Sequence, residues 1–162
     1  MTPLWIYGAG HVGRALITTL AGLPYAVTWI DDARARFPDP IPDHATMLVA
    51  QNPTDAARHA AQDAHHLVLT YSHALDLSLC HQILSQPFAS LGLIGSATKR
   101  TRFLKRLRAL GHSEQTLTRL TCPIGDPTLG KHPQAIAVSV VHALLKPQAA
   151  ATSGATNKGQ HA

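Results

Sequence analysis

Along the chain, short apolar runs alternate with stretches whose apolar residues recur at helical spacing. Leu4-Trp5-Ile6-Tyr7 is an apolar run that stops at Gly8, as a buried parallel strand does. From His11 to about Leu20, the residues Val12, Ala15, Leu16, Thr19 and Leu20 repeat at helical intervals, and Gly22 with Pro24 ends the pattern. Ala26–Ile30 reads as a second strand closed by Asp31-Asp32. Pro38, Pro40 and Pro42 make the stretch from Arg34 to Asp43 an extended or turning loop. Met47–Val49, His66–Thr70 and Leu91–Ile94 read as three further strands. Thr54–Ala64, Ala74–Leu84 and Ala97–Leu110 read as the helices that follow them. Glu114–Leu120 is a short helix or turn. Pro133–Leu145 reads as a last helix with proline in its first turn.

Strand and helix patterns that alternate in this way predict a parallel sheet joined by helical crossovers. The expected fold is α/β: a Rossmann-like, doubly wound parallel sheet forming a single domain over residues 1–146. After Pro147 the composition turns to Ala, Thr, Ser, Gly and Gln, which predicts a disordered tail over 147–162. With 162 residues, 45% apolar and only 14% charged, the chain can bury one core without disulfides. Cys80 and Cys122 stand alone, without a CxxC pair, so the reading is a reducing cytoplasm. No apolar run approaches the roughly 18 residues of a membrane span, and the N-terminus lacks the pattern of a signal peptide. The net charge of +5 comes mostly from Lys99, Arg100, Arg102, Lys105, Arg106 and Arg108. No RNA-binding aromatic motif accompanies them, so neither nucleic acid nor a membrane is expected as a partner.

Gly8-Ala9-Gly10-His11-Val12-Gly13 matches G-x-G-x-x-G in the context that gives this motif meaning. It follows a strand, opens a helix, and is followed by Asp31 at the end of the next strand. Gly8 would permit the tight turn, Gly10 the approach of a pyrophosphate, and Gly13 close packing of helix on strand. The N–H groups and positive end of the helix would then face the anion. His11 and Val12 lie where they could reach the same ligand. Asp31 and Asp32 argue mildly against a 2′-phosphate, which a carboxylate repels.

Ligands of open parallel sheets lie beyond the carboxyl ends of the strands, so the residues there are candidates too. After the fourth strand, Ser72 can cap the next helix, Asp76 suits its dipole, and His73 has no structural explanation. His73, Asp76 and Cys80 share one helix face, which is a possible metal-ligand face; against it, a mid-helix cysteine is commonly a buried hydrophobe. After the fifth strand, Ser96 caps a helix whose first turn carries Lys99 and Arg100. This is either an anion site or a solvated basic face. No serine, histidine and acid stand at the spacing of a nucleophile elbow.

Six stretches in this order resemble the Rossmann domain of the XdhC/CoxI family, the accessory proteins of xanthine dehydrogenase and related molybdenum hydroxylases. They are Ile6–Leu16, Trp29–Pro38, Leu69–Leu77, Leu91–Leu107, Arg119–Gly125 and Gly130–Val140. The glycine loop alone is common to many families, whereas GLIGSATKRTRF and RLTCPIG are far more specific. The resemblance implies a chaperone without turnover of its own. It would bind the molybdenum cofactor, as molybdopterin or its dinucleotide form, during exchange of an oxo for a sulfido ligand, and deliver it to an apo-hydroxylase. A cysteine desulfurase and a second copy of the chain are further implied partners. Gly8, Gly10, His11, Val12, Gly13, Asp31, Asp32, Ser72, His73, Ser96, Lys99 and Arg100 would form the site, and Cys122 would touch sulfur or molybdenum or be a buried thiol. Two departures stand out. Tyr71 occupies a position where the family more often has histidine. Only seven residues precede Gly8, whereas family members carry a separate domain there, so the chain reads as the C-terminal domain alone. The alternatives are an NAD(H)-dependent oxidoreductase, supported by the glycine loop and Asp31, and a nucleotide-sensing regulatory domain.

Overall fold

The computed structural model describes residues 1–146; the tail expected over 147–162 lies outside them. Its centre is a parallel sheet of six strands: β1 Thr2–Tyr7, β2 Tyr25–Asp31, β3 Ala45–Val49, β4 His65–Val68, β5 Ser90–Leu93 and β6 Leu120–Thr121. Their order is β3-β2-β1-β4-β5-β6, with every neighbouring pair parallel. The strand order therefore reverses between β1 and β4, and the crevice of such a sheet opens there.

Alternation along each strand divides the core in two. Leu4, Ile6, Val27, Trp29 and Leu67 point to one face, where helices α1 (His11–Thr19) and α6 (Pro133–Leu145) cover them with Leu16, Ile17, Ala137 and Val140. Tyr7, Ile30, Val68, Leu91 and Leu93 point to the other. That face is covered by α2 (Pro53–Ala57), α3 (His73–Leu84), α4 (Ala97–Ala109) and α5 (Glu114–Leu117), through Ala57, Leu79, Ile83, Phe103, Leu107 and Leu117. Helices on both faces make the sheet doubly wound, as the alternating pattern predicts.

Three elements depart from the sequence reading. Helix α2 ends at Ala57 rather than Ala64. Beyond it the alanines share no buried face, and a short helix without a face to bury is unstable in water. Strand β6 is new: Leu120 and Thr121 pair with Leu91 and Gly92 at the sheet edge, and two residues are too few to show an alternating pattern. Within the proline-bounded loop, Arg34–Arg36 forms a 3₁₀ turn. It positions Phe37, whose ring meets Trp29 edge-on at 5.1 Å.

One buried polar group stands apart from the cleft. His66 on β4 is fully buried, its Nδ1 hydrogen-bonded to the Tyr7 hydroxyl at 2.9 Å, while Nε2 has no partner among the described residues. Burial, with His65 as a minor contributor, pushes its pKa down from 6.5 to about 4. A base whose folded pKa is depressed stabilises the fold fully above its unfolded pKa and loses that contribution as pH falls. Urea denaturation between pH 6.5 and 4.5 is therefore expected to show a loss of about 2 kcal/mol, at 1.36 kcal/mol per pKa unit. His66→Gln is expected to flatten most of this slope; an equal slope in that variant would assign it to other groups.

Candidate functional site

The cleft at the β1/β4 reversal has a volume of about 760 Å³ and runs from Ala35 and Arg36 beside β2, across the glycine loop, to Ile94 and Lys99 beyond β5. Its floor is set by contacts between backbones. Gly8 has φ +125°, and a Cβ there would overlap the carbonyl of Leu69 at the end of β4. A Cβ on Gly13 would overlap the Gly8 carbonyl, which also accepts a hydrogen bond from Trp29 Nε1 at 2.8 Å. These two glycines let the β1 turn lie against β4 on one side and the start of α1 on the other.

Gly10 differs. An added Cβ would meet nothing within 4 Å, because the position faces the open cleft. It is also the N-cap of α1 and offers no side chain to the first N–H groups of the helix. The other five α-helices are capped by Asn52, Ser72, Ser96, Ser113 and His132. The N-terminal N–H groups and dipole of α1 are thus left to whatever enters the cleft.

The two carboxylates that line the cleft are already engaged. Asp31 is 3% exposed; its Oδ2 accepts from Ala9 N at 2.9 Å and its Oδ1 from Asp32 N at 2.7 Å. It fastens the loop from beneath. Asp76 is 1% exposed in its side chain and accepts at Oδ1 from Thr70 N (2.8 Å) and Oγ1 (2.7 Å). Its Oδ2 takes Lys99 Nζ at 2.8 Å, and Lys99 also donates to the carbonyl of Ile94 at 3.0 Å. Arg14 lines the cleft and ties the loop to the 3₁₀ turn, donating to the carbonyls of Ala9 (3.2 Å) and Arg36 (2.7 Å). Asp32 lies at the rim. The Tyr71 hydroxyl, and after it Arg36, hold the Asp32 carboxyl below the usual carboxylate range. With both lining acids engaged, the groups offered to a ligand are N–H donors and the cations Arg14, Arg36 and Lys99.

Of the residues singled out in the sequence, the cleft gathers Gly10, His11, Val12, Gly13, Asp31, His73 and Lys99, with Gly8 beneath them. Four take other places. Ser72 caps α3 through Leu75 N. Ser96 caps α4 and lines a neighbouring cavity of about 340 Å³ with Pro123, Ile124 and Ile136. Arg100 is exposed and does not line the cleft. Cys122 is buried in the core with Phe103, Leu107 and Leu120, where burial raises its pKa; it does not line the cleft either. The possible metal face dissolves as well: Cys80 is fully buried, His73 is exposed, and Asp76 is bound to Lys99. Among the described residues no group of three or more His, Cys, Asp or Glu could hold a metal ion. None of their helices is long and apolar enough to cross a membrane.

The sequence reading missed Arg14, Arg36 and Thr70, and saw in Asp76 a complement to the helix dipole or a member of a metal-ligand face, not the partner of Lys99. No local spacing joins Asp76 to Lys99, which come together because β4 and β5 are neighbours in the sheet.

Fold and cleft together define a Rossmann-type domain with a glycine loop at its topological switch point. The chain belongs to the XdhC Rossmann domain family, whose pattern it matches over residues 4–144. It is 31% identical over 159 residues to YqeB of Escherichia coli (strain K12), a match that covers 98% of this chain and 29% of the relative. A crystal structure of a xanthine dehydrogenase from Bacillus halodurans superposes with a TM-score of 0.75 at 22% identity, covering 91% of this chain and 44% of that one. A Rossmann-fold NAD(P)-binding family protein from Shigella flexneri superposes with a TM-score of 0.58 at 14% identity, covering 91% and 89%. At such identities the superpositions speak to fold. The chain spans less than half the length of YqeB and of the Bacillus protein.

The sequence treats Lys99 and Arg100 as a pair, and the structure separates them. Lys99→Ala leaves the buried Asp76 carboxylate without its counter-charge and is expected to cost about 3 kcal/mol or more. Arg100→Ala on the exposed face is expected to stay within about 0.5 kcal/mol of the parent. Chemical denaturation of the two variants at pH 7 checks this; equal losses would contradict the ion pair.

Proposed function

We propose that this chain is a molybdenum-cofactor-binding accessory domain. In this reading it accepts the cofactor, as molybdopterin or its dinucleotide form, holds it while a cysteine desulfurase supplies sulfur, and passes it to an apo molybdenum hydroxylase of the xanthine dehydrogenase type. The cofactor is cargo, and the sulfido-for-oxo exchange belongs to it and to the sulfur donor. The observation that carries the reading is the uncapped start of α1 at Gly10, open to a cleft lined by Arg14, Arg36 and Lys99. The anionic phosphate end of the cargo matches those N–H groups and cations. Thr70 and Lys99 beyond the loop supply polar contacts for the ring end. Membership of the XdhC family supports the accessory role.

Gly10→Val tests the cradle cleanly. Gly10 has φ −78° and ψ −165°, extended backbone that valine adopts, and its Cβ meets no protein atom. The variant is expected to fold as the parent does, while its side chain occupies the space the phosphate needs. Purified from a host that makes the cofactor, the parent chain is expected to retain molybdenum by elemental analysis and an oxidised pterin by fluorescence. The variant should retain at least roughly ten-fold less. Tight NADH binding by a pterin-free parent would overturn the proposal in favour of a dinucleotide-dependent oxidoreductase.

A further inference from the structure

The β2 side of the cleft carries a cluster of which the phosphate cradle uses only Arg36. Tyr71 follows β4 and Asp32 follows β2, so they flank the glycine loop that leaves β1 between them. The Tyr71 hydroxyl donates to Asp32 Oδ2 at 2.6 Å, and Arg36 Nε donates to the other oxygen at 2.8 Å. The Arg36 guanidinium lies 3.6 Å from the centre of the Tyr71 ring. The ring is thus held at its hydroxyl and over one face, and yet Tyr71 is 61% exposed and lines the cleft. An aromatic group that is exposed but already fixed loses little further freedom when a flat ligand stacks on its open face.

We propose that Tyr71 is the stacking platform for a nucleobase, so that the cleft takes its ligand in a nucleotide-extended form. The inference rests on the glycine loop as phosphate cradle and adds to it the form of the ligand. In a sheet of this order a ligand spans the switch point, with its phosphates at the loop and a group on either side. The cleft has both sides: Ala35, Arg36 and Tyr71 lie toward β2, Ile94 and Lys99 toward β5. A ligand of one ring and one phosphate would fill only one of them. What the β2 side offers is a π-face backed by a guanidinium. Every base can use such a face whatever its hydrogen-bonding edge. The Asp32 carboxylate is occupied by Tyr71 and Arg36, so the stack, and not a carboxylate contact to the ribose, supplies the affinity on this side.

The test is calorimetric titration of the full chain with inorganic pyrophosphate, with methyl diphosphate as a base-free control, and with cytidine and adenosine diphosphates. The nucleoside diphosphates are expected to bind about ten-fold more tightly than methyl diphosphate, which corresponds to about 1.4 kcal/mol. Tyr71→Ala is expected to remove that advantage and leave pyrophosphate binding unchanged. Tyr71→Phe keeps the π-face while losing the hydrogen bond to Asp32, and is expected to keep most of the advantage. Equal affinity of methyl and nucleoside diphosphates for the parent chain would overturn the platform and leave the cradle standing. A phenylalanine variant as damaged as the alanine one would make Tyr71 a latch between two loops and overturn the platform too. Failure of pyrophosphate itself to bind would remove the cradle, and the platform with it.

Discussion

The cleft exists because three backbones meet at Gly8. The end of β1 presses against the Leu69 carbonyl of β4, and the start of α1 presses against the Gly8 carbonyl through Gly13. A methyl group at either glycine would force these segments apart. The consequence reaches beyond the turn. With α1 brought so close, its N-terminus opens on the gap where the strand order reverses, and its dipole is aimed into the cleft. Trp29 Nε1 and the Asp31 carboxylate, both from β2, hold the loop from below by hydrogen bonds to Gly8 O and Ala9 N. β2 therefore shapes the site through its buried groups, while the residues after it, Asp32 and Arg36, shape the rim.

Charge is distributed to the same end. A buried carboxylate must be compensated, and both acids lining the cleft meet that requirement inside the protein. Asp31 uses two backbone N–H groups; Asp76 uses Thr70 and Lys99. Their negative charge is largely spent before any ligand arrives. The lining is left rich in donors, as an anion requires. Lys99 has a second role in this arrangement, since its bond to the Ile94 carbonyl fixes the end of β5 beside the cleft.

Much of this was legible in the chain, for physical reasons that differ from residue to residue. The strands of a doubly wound sheet are buried on both faces and appear as apolar runs, so β1, β2, β4 and β5 announce themselves. The glycine loop is legible because its geometry demands glycine at Gly8 and Gly13 for steric reasons that no other residue meets. The edge strand β6 and the shortened α2 were not legible: one is too brief to show a period, and the other is an alanine run whose members beyond Ala57 share no common buried face. The site was half legible. Residues within the loop follow from local spacing. The Asp76–Lys99 pair and the Tyr71–Asp32–Arg36 cluster join positions far apart in sequence that only the strand order brings together. Cys122 stood open between a contact with the ligand and a buried thiol, and its side chain turns into the core.

The same distribution of groups bears on what kind of work the cleft is suited to. Turnover by proton transfer calls for a titratable group free to gain or lose a proton at the ligand. Asp31 and Asp76 hold their oxygens against backbone and lysine donors. Releasing either would unfasten the loop or strand a buried charge. Lys99 is committed to Asp76 in the same way. These floor groups are better placed to hold a ligand in one pose than to exchange protons with it, while the exposed imidazoles of His11 and His73 also line the cleft. The rim is built separately, from the exposed Tyr71 after β4 and the half-buried Arg36 after β2. Discrimination between forms of one ligand can therefore change at the rim without disturbing the floor that binds what those forms share.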